Sequence, residues 1–69
     1  MYYLIEVTDT KSGIAKTITE KSTLNDATMQ LHQTLASAMA NSNVNSCMAM
    51  VIDAHGSVQR YEYWEREAV

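Results

Sequence analysis

Apolar and polar residues alternate along two short segments near the start of the chain. Residues 2–8 are rich in aromatic and β-branched side chains, and residues 14–20 alternate between two sides, which predicts two strands. Residues 9–13 between them form a turn cluster, in which Gly13 can take the left-handed backbone of a bulged hairpin. The pattern therefore predicts a β-hairpin.

The apolar spacing then changes to steps of three and four residues, which is typical of an amphipathic helix. Thr23 and Asp26 resemble a capping box in which Asp replaces the usual Glu. Asn41 suits a helix end because Asn tolerates the C-cap conformation. The sequence thus predicts a helix between Thr23 and Asn41. Its apolar stripe consists of Leu24, Ala27, Thr28, Leu31, Thr34, Leu35, Ala38 and Met39.

Residues 44–52 and 57–65 are predicted as a second pair of strands, joined by a turn with Asp53 first and Gly56 fourth. The element order is ββαββ, and one domain spans residues 1–69. We expect an α+β fold: a two-layer sandwich in which a four-stranded antiparallel sheet of strand order 2-1-3-4 carries one helix on one face. The last few residues are expected to fray.

The third strand is apolar on both of its sides, a pattern normally found in strands that are covered on both faces. The first strand shows the same two-sided pattern, yet one helix covers only one face of a sheet. The sequence therefore predicts a second apolar face that another surface has to cover. The two sides of the third strand carry Cys47, Ala49 and Val51, and Met48, Met50 and Ile52.

Counting back from the second turn indicates which face is open. Pairing Asp53 with Ser57 sets Met50 opposite Arg60, and a charge is costly beneath a helix. We therefore place the helix on the Cys47 side and expect a candidate interface on the methionine side. Its residues are Leu4, Met48, Met50, Ile52, Val58, Arg60, Glu62 and Trp64, with Glu6 and Lys16 at the rim. In the alternative, the helix covers the methionine side and these residues form the core.

The chain length and the cysteine content predict that a second copy of the chain covers the methionine side of the sheet. A chain of 69 residues buries only about 60 % of its unfolded surface, and small domains usually add disulfides, a metal or a partner subunit. Cys47 is the single cysteine, so no disulfide forms within the chain, and one cysteine with two histidines is a poor zinc site. We therefore expect a homodimer.

The charge pattern narrows the classes of partner. Five bases against eight acids give a net charge of −3 without a basic stripe, which argues against nucleic acid. No apolar run reaches the ~18 residues of a membrane span, and the first residues lack the basic segment of a signal peptide. The expected location is the cytoplasm, with which a single cysteine is consistent.

Candidate chemical groups are few. His32 has no acidic residue three or four positions away, His55 lies in a turn, and a thiol buried in a strand, as expected for Cys47, is inert. No phosphate-binding loop, HExxH or CxxC motif occurs. We expect no catalytic site, cofactor or metal, and a protein that is not an enzyme. The C-terminal alternation of aromatics and acids fits either a half-buried edge strand or a contact surface formed by Trp64 and Arg66.

Four stretches of the chain carry a resemblance to a known group. They are the Tyr2-Tyr3 pair and residues 35–41, 50–56 and 61–66. Together they resemble small uncharacterised proteins encoded in bacteriophage and prophage regions. The resemblance implies a phage context for an accessory protein that binds a host or phage protein, for example as an inhibitor of a bacterial immune protein.

Two other functions stay open at this point. One is a structural or assembly component of a phage particle. The other is a small-molecule sponge, in which Tyr61, Tyr63 and Trp64 stack on a nucleotide base.

Overall fold

A computed structural model describes residues 1–67. In chain order the elements are β1 (Tyr2–Thr10), β2 (Gly13–Lys21), α1 (Leu24–Ala40), β3 (Val44–Asp53) and β4 (Val58–Glu65). Neighbouring strands are antiparallel, in the order β2-β1-β3-β4. The predicted α+β fold and its sheet topology are confirmed. The prediction that the last few residues fray includes residues 68 and 69, which lie outside the described residues.

The turn between β3 and β4 is the one that its sequence predicts. The backbone N–H of Gly56 donates to the carbonyl of Asp53 at 3.1 Å, and Gly56 has a φ of +85°, where a side chain would be strained. The Asp53 carboxylate oxygen Oδ1 accepts the backbone N–H groups of His55 at 2.8 Å and Ser57 at 2.9 Å. The hairpin end is therefore held by one acidic side chain.

The start of α1 matches its prediction, whereas its end differs. Thr23 Oγ1 accepts the backbone N–H of Asp26 at 3.1 Å and so caps the helix. Asn41 ends the helix with φ −99° and ψ 110°, so the left-handed C-cap that Asn tolerates does not form. The Asn41 side-chain oxygen instead accepts the backbone N–H of Asn43 at 3.0 Å, which fixes the chain as it turns into β3.

The core lies between α1 and the two central strands. Ala27 of the helix and Cys47 and Ala49 of β3 are fully buried. The placement of the helix on the Cys47 side is confirmed, and the alternative with a methionine core is wrong. Met39 is 49 % exposed, so the predicted stripe is one residue too wide. The buried cluster is Leu4, Ala27, Leu31, Leu35, Ala38, Val44, Cys47, Ala49 and Val51.

The placement of Leu4 on the open face is wrong. Leu4 is fully buried and pairs with Val51, and directly opposed strand residues share a face, so Leu4 lies under the helix. Glu6, two positions later, points to the same side and is not on the predicted rim. Its carboxylate accepts hydrogen bonds from Thr34 of α1 and, at 3.1 Å, from Thr17 of β2. Those hydroxyl groups satisfy a charge at the edge of the helix.

A β-bulge puts β4 one residue out of its predicted register. Ile52 lies opposite Val58, as counting from the turn predicts, but Val51 already lies opposite Arg60. Gln59 is the extra residue on β4. Because side chains alternate along a strand, one extra residue moves every later side chain to the other face.

The placement of Arg60, Glu62 and Trp64 on the open face is therefore wrong. All three lie on the helix side of the sheet, where Trp64 packs against the buried core. Arg60 and Glu62 are exposed, which avoids the cost of burying their charges. Tyr61 and Tyr63 take their places on the opposite face.

Candidate interaction surface on the open sheet face

The sheet face opposite α1, called the open face below, is a grid of side chains from all four strands. Directly opposed residues of antiparallel strands share a face, so the strand register defines the grid row by row. In its three middle rows, two residues are charged and the others are aliphatic, methionine or tyrosine. From β2 to β4 these rows are Lys16, Val7, Met48 and Tyr63; Ile18, Ile5, Met50 and Tyr61; and Glu20, Tyr3, Ile52 and Val58.

The apolar side chains of the middle rows are open to solvent at both sheet edges. Ile18 on β2 is 72 % exposed, and Tyr61 and Val58 on β4 are 57 % and 56 % exposed. Their neighbours on β1 and β3 are half-buried by adjacent side chains alone. Single exposed apolar residues are ordinary, whereas a continuous apolar face marks a contact site.

Charged and polar groups bound this apolar area. At one end the next row contains Ile14, Asp9, Ser46 and Glu65. On β2, Lys16 and Glu20 lie one row to either side of Ile18. The open face therefore has an apolar middle with charged groups along β2 and at one end, and an apolar middle with polar groups at its border is typical of a protein interface.

Half of the predicted interface residues lie on the open face. Met48, Met50, Ile52 and Val58 are there, and the other four are on the helix side, as described above. Sequence reasoning missed Tyr3, Ile5, Val7, Ile18, Tyr61 and Tyr63. The alternation of Tyr3, Ile5 and Val7 is a signal that identifies half of them. The role of all these residues in binding stays a prediction.

Trp64 and Arg66 form an intramolecular contact on the helix side. The guanidinium carbon of Arg66 lies 4.8 Å from the centroid of the Trp64 ring. Arg66 also donates from Nη2 to the carbonyls of Met39 at 3.3 Å and Asn41 at 2.9 Å, and from Nε to the carbonyl of Val44 at 3.0 Å. These side chains join β4 to the end of α1, which fits the half-buried edge strand, and a contact surface formed by the two residues stays a prediction.

A shallow depression lies between α1 and β1. Its lining is polar but uncharged: Thr8, Gln30, Gln33, Thr34, Ser37 and Asn41 are among its residues. Gln30 donates to Thr34 at 3.4 Å, and Thr34 donates to Glu6. Among residues 1–67, no buried side-chain nitrogen or oxygen lacks a hydrogen-bond partner, so nothing in this depression calls for a ligand.

The titratable candidates lie apart from the open face. His32 and His55 are exposed, and Cys47 is fully buried, as predicted, with its Sγ 3.7 Å from Thr8 Oγ1. The backbone N–H of Ser57, more than any other group, lowers the pKa of Asp53, and the N–H and charge of His55 act in the same direction. Within the described chain, no cluster of three or more His, Cys, Asp and Glu side chains is suited to a metal ion.

Comparison with known proteins gives no relative: no family model, curated protein or solved structure matches the chain. None of the helices in residues 1–67 combines the length and hydropathy needed to cross a membrane.

Proposed function

We propose that this protein acts by protein–protein binding, that the open face is its binding surface, and that a second copy of the chain covers this face. One observation supports the proposal. β3 is apolar on both of its faces and β1 is apolar on the open face, whereas α1 covers only the opposite side of the sheet. Exposure of the other face is unfavourable by about 25 cal/mol for each Å² of apolar surface.

The size of the open face suits a homodimer. The two longer extents of the Cα trace, 39 and 19 Å, limit any flat face of the molecule to roughly 740 Å², just below the ~800 Å² that each partner contributes to a standard stable interface. A dimer of ordinary stability would therefore use nearly the whole face. A small peptide would leave much of it exposed.

The test compares two Ile→Asp variants on the same strand. Ile18 lies in the middle rows and Ile14 in the polar end row, and both are largely exposed in the single chain. Neither substitution removes much packing within the subunit. A carboxylate at position 18 would lose its water in the interface whatever residue it faces, so we expect I18D to weaken the dimer by about 100-fold or more, with I14D near wild type.

Sedimentation equilibrium over a range of protein concentrations measures both dissociation constants, and circular dichroism checks the fold of each variant. M50D and M29D form a second pair, because Met29 is an exposed methionine of α1, on the side of the sheet away from the open face. A wild-type chain that stays monomeric at millimolar concentration would contradict the homodimer.

The resemblance to phage proteins implies several narrower functions, and it is the only support for them. A cytoplasmic accessory protein that binds a host or phage protein, an inhibitor of a bacterial immune protein and a particle component all remain predictions. Tyr61 and Tyr63 lie on one face and Trp64 on the other. A nucleotide sponge built from all three rings is therefore disfavoured.

A further inference from the structure

We infer that the two copies pack face to face about a two-fold axis that runs across the strands, so that Lys16 of each subunit meets Glu20 of the other. The inference rests on the proposed homodimer and specifies its geometry. The axis passes over the middle row of the grid, which consists of Ile18, Ile5, Met50 and Tyr61.

The three middle rows of the open face contain two charged residues. Lys16 and Glu20 lie on the same edge strand and the same face, two residues to either side of Ile18. Opposite charges placed symmetrically about one residue can pair with a copy of themselves when a rotation exchanges their positions. The open face is therefore self-complementary in charge along β2.

A two-fold axis across the strands performs this exchange. It lays β2 over β2 of the second copy with the strand direction reversed, because the rotation inverts the direction along the strand and keeps the order of strands. Lys16 then lies over Glu20 of the second copy, and Glu20 over Lys16. Packed sheets are about 10 Å apart, a gap that a lysine and a glutamate side chain reaching toward each other can span.

The other aligned arrangement has its axis parallel to the strands. It would lay β2 over β4, so that Glu20 would face Val58 and Lys16 would face Tyr63. Glu20 would then lose water without gaining an opposite charge, which is unfavourable. Sheets that pack face to face with aligned strands differ by about 30° in direction; among such aligned arrangements the choice lies between these two axes, and the charges favour the first.

The apolar residues also match under the first axis. Val7 of one subunit would lie over Tyr3 of the second copy, so a small side chain meets a large one. Met48 would lie over Ile52, so a flexible side chain meets a branched one. The middle row would stack on itself. Each subunit keeps its helix outside, so the dimer would have four layers.

The test is a charge exchange between subunits. K16E and E20K each replace two attractive pairs in the dimer by two repulsive ones, and we expect each variant alone to dimerise about tenfold more weakly than wild type. An equimolar mixture of the two variants brings acids opposite bases again. We expect the mixed dimer to regain the wild-type dissociation constant, measured by sedimentation equilibrium with one variant labelled.

A matched control separates this effect from a change in net charge. K21E alters the charge by the same amount as K16E but on the helix side of β2, where Lys21 pairs with Tyr2; we expect no change in dimerisation. If wild type dimerises and the mixture is no tighter than its components, this geometry is wrong and the homodimer stands. A monomeric wild type would overturn both.

Discussion

Arg66 stacks on Trp64, with its guanidinium carbon 4.8 Å from the ring centroid, while its nitrogens donate to backbone carbonyls at the end of α1. The last turn of α1 contains no basic residue. A residue that follows β4 thus supplies the positive charge that a helix C-terminus favours. The same side chain ties the edge strand to the helix.

Replacement of Arg66 by alanine should lower the free energy of unfolding by about 1–2 kcal/mol, because the variant loses charged hydrogen bonds and a cation–π contact that are partly open to water. The free energy of unfolding of R66K should lie between those of wild type and R66A, since a lysine keeps the charge but cannot donate to several carbonyls in the same geometry. Urea unfolding at a fixed protein concentration measures both.

The control for this experiment is R60A on the same strand. Arg60 is exposed and donates to the carbonyl of its neighbour Gln59, so its loss should change stability by less than about 0.5 kcal/mol. Equal effects of R60A and R66A would mean that charge alone, rather than the helix contact, determines the result.

Replacement of Thr23 by alanine should cost about 1 kcal/mol of stability, because the backbone N–H of Asp26 loses its acceptor at the start of α1. T23S keeps an oxygen in the same place and serves as the control. Thermal unfolding followed at 222 nm compares the three proteins. A T23S variant as unstable as T23A would show that the methyl group, and not the cap, matters.

Protonation of the Asp53 carboxylate should make the protein less stable in acid. The backbone N–H of Ser57 and the groups of His55 and Gln59 lower the pKa of Asp53 below its usual 3.8 in the folded chain. The unfolded chain therefore binds this proton first as the pH falls. The contribution of Asp53 is complete above about pH 4 and is lost as the pH falls through the lower folded-state pKa.

The variant D53N isolates this contribution, because an amide oxygen can still accept both turn N–H groups but does not titrate. The difference in unfolding free energy between wild type and D53N should shrink as the pH falls below 4. A difference that stays constant from pH 6 to pH 2 would contradict the assignment. Carbon-13 shifts of the Asp53 carboxyl group provide the folded-state pKa directly.

Leu4 and Ile5 are neighbours on opposite faces, so their truncation should have different consequences. L4A removes a fully buried core side chain and should destabilise the subunit by about 2–5 kcal/mol. I5A removes a half-buried side chain of the open face, and its larger effect should be on dimerisation. Unfolding at low protein concentration measures the stability of the subunit, and sedimentation equilibrium measures dimerisation. A dimer unaffected by I5A would argue against the open face as interface.

The element order, the sheet topology and the covered side of β3 are predictable from the sequence because each depends on local periodicity and turn residues. The side of β1 that carries Leu4 and Glu6 was predicted wrongly. A glutamate is typical of a solvent-exposed face, but Glu6 accepts hydrogen bonds from Thr17 and Thr34, which lie in other elements. Cross-strand register and hydroxyl partners are properties of the assembled sheet. Alternation within a single strand does not determine them.

The contact between Arg66 and the helix end was beyond sequence reasoning for a similar reason. The guanidinium group reaches carbonyls 25 to 28 positions earlier in the chain, and no spacing rule connects such positions. The apolar middle of the open face, in contrast, was partly predictable, since Met48, Met50 and Ile52 share one side of a strand that is apolar throughout.

The extra residue at Gln59 has a consequence for how this chain can diverge. Loss of the Gln59 codon would rotate the rest of β4 by half a turn, turning Trp64 outward and both nearby tyrosines inward, although no other amino acid would change. The surface offered to a partner and the anchor of the edge strand would change together in a single event. A change of length at this position would therefore alter both faces of β4 at once, which a single substitution cannot do.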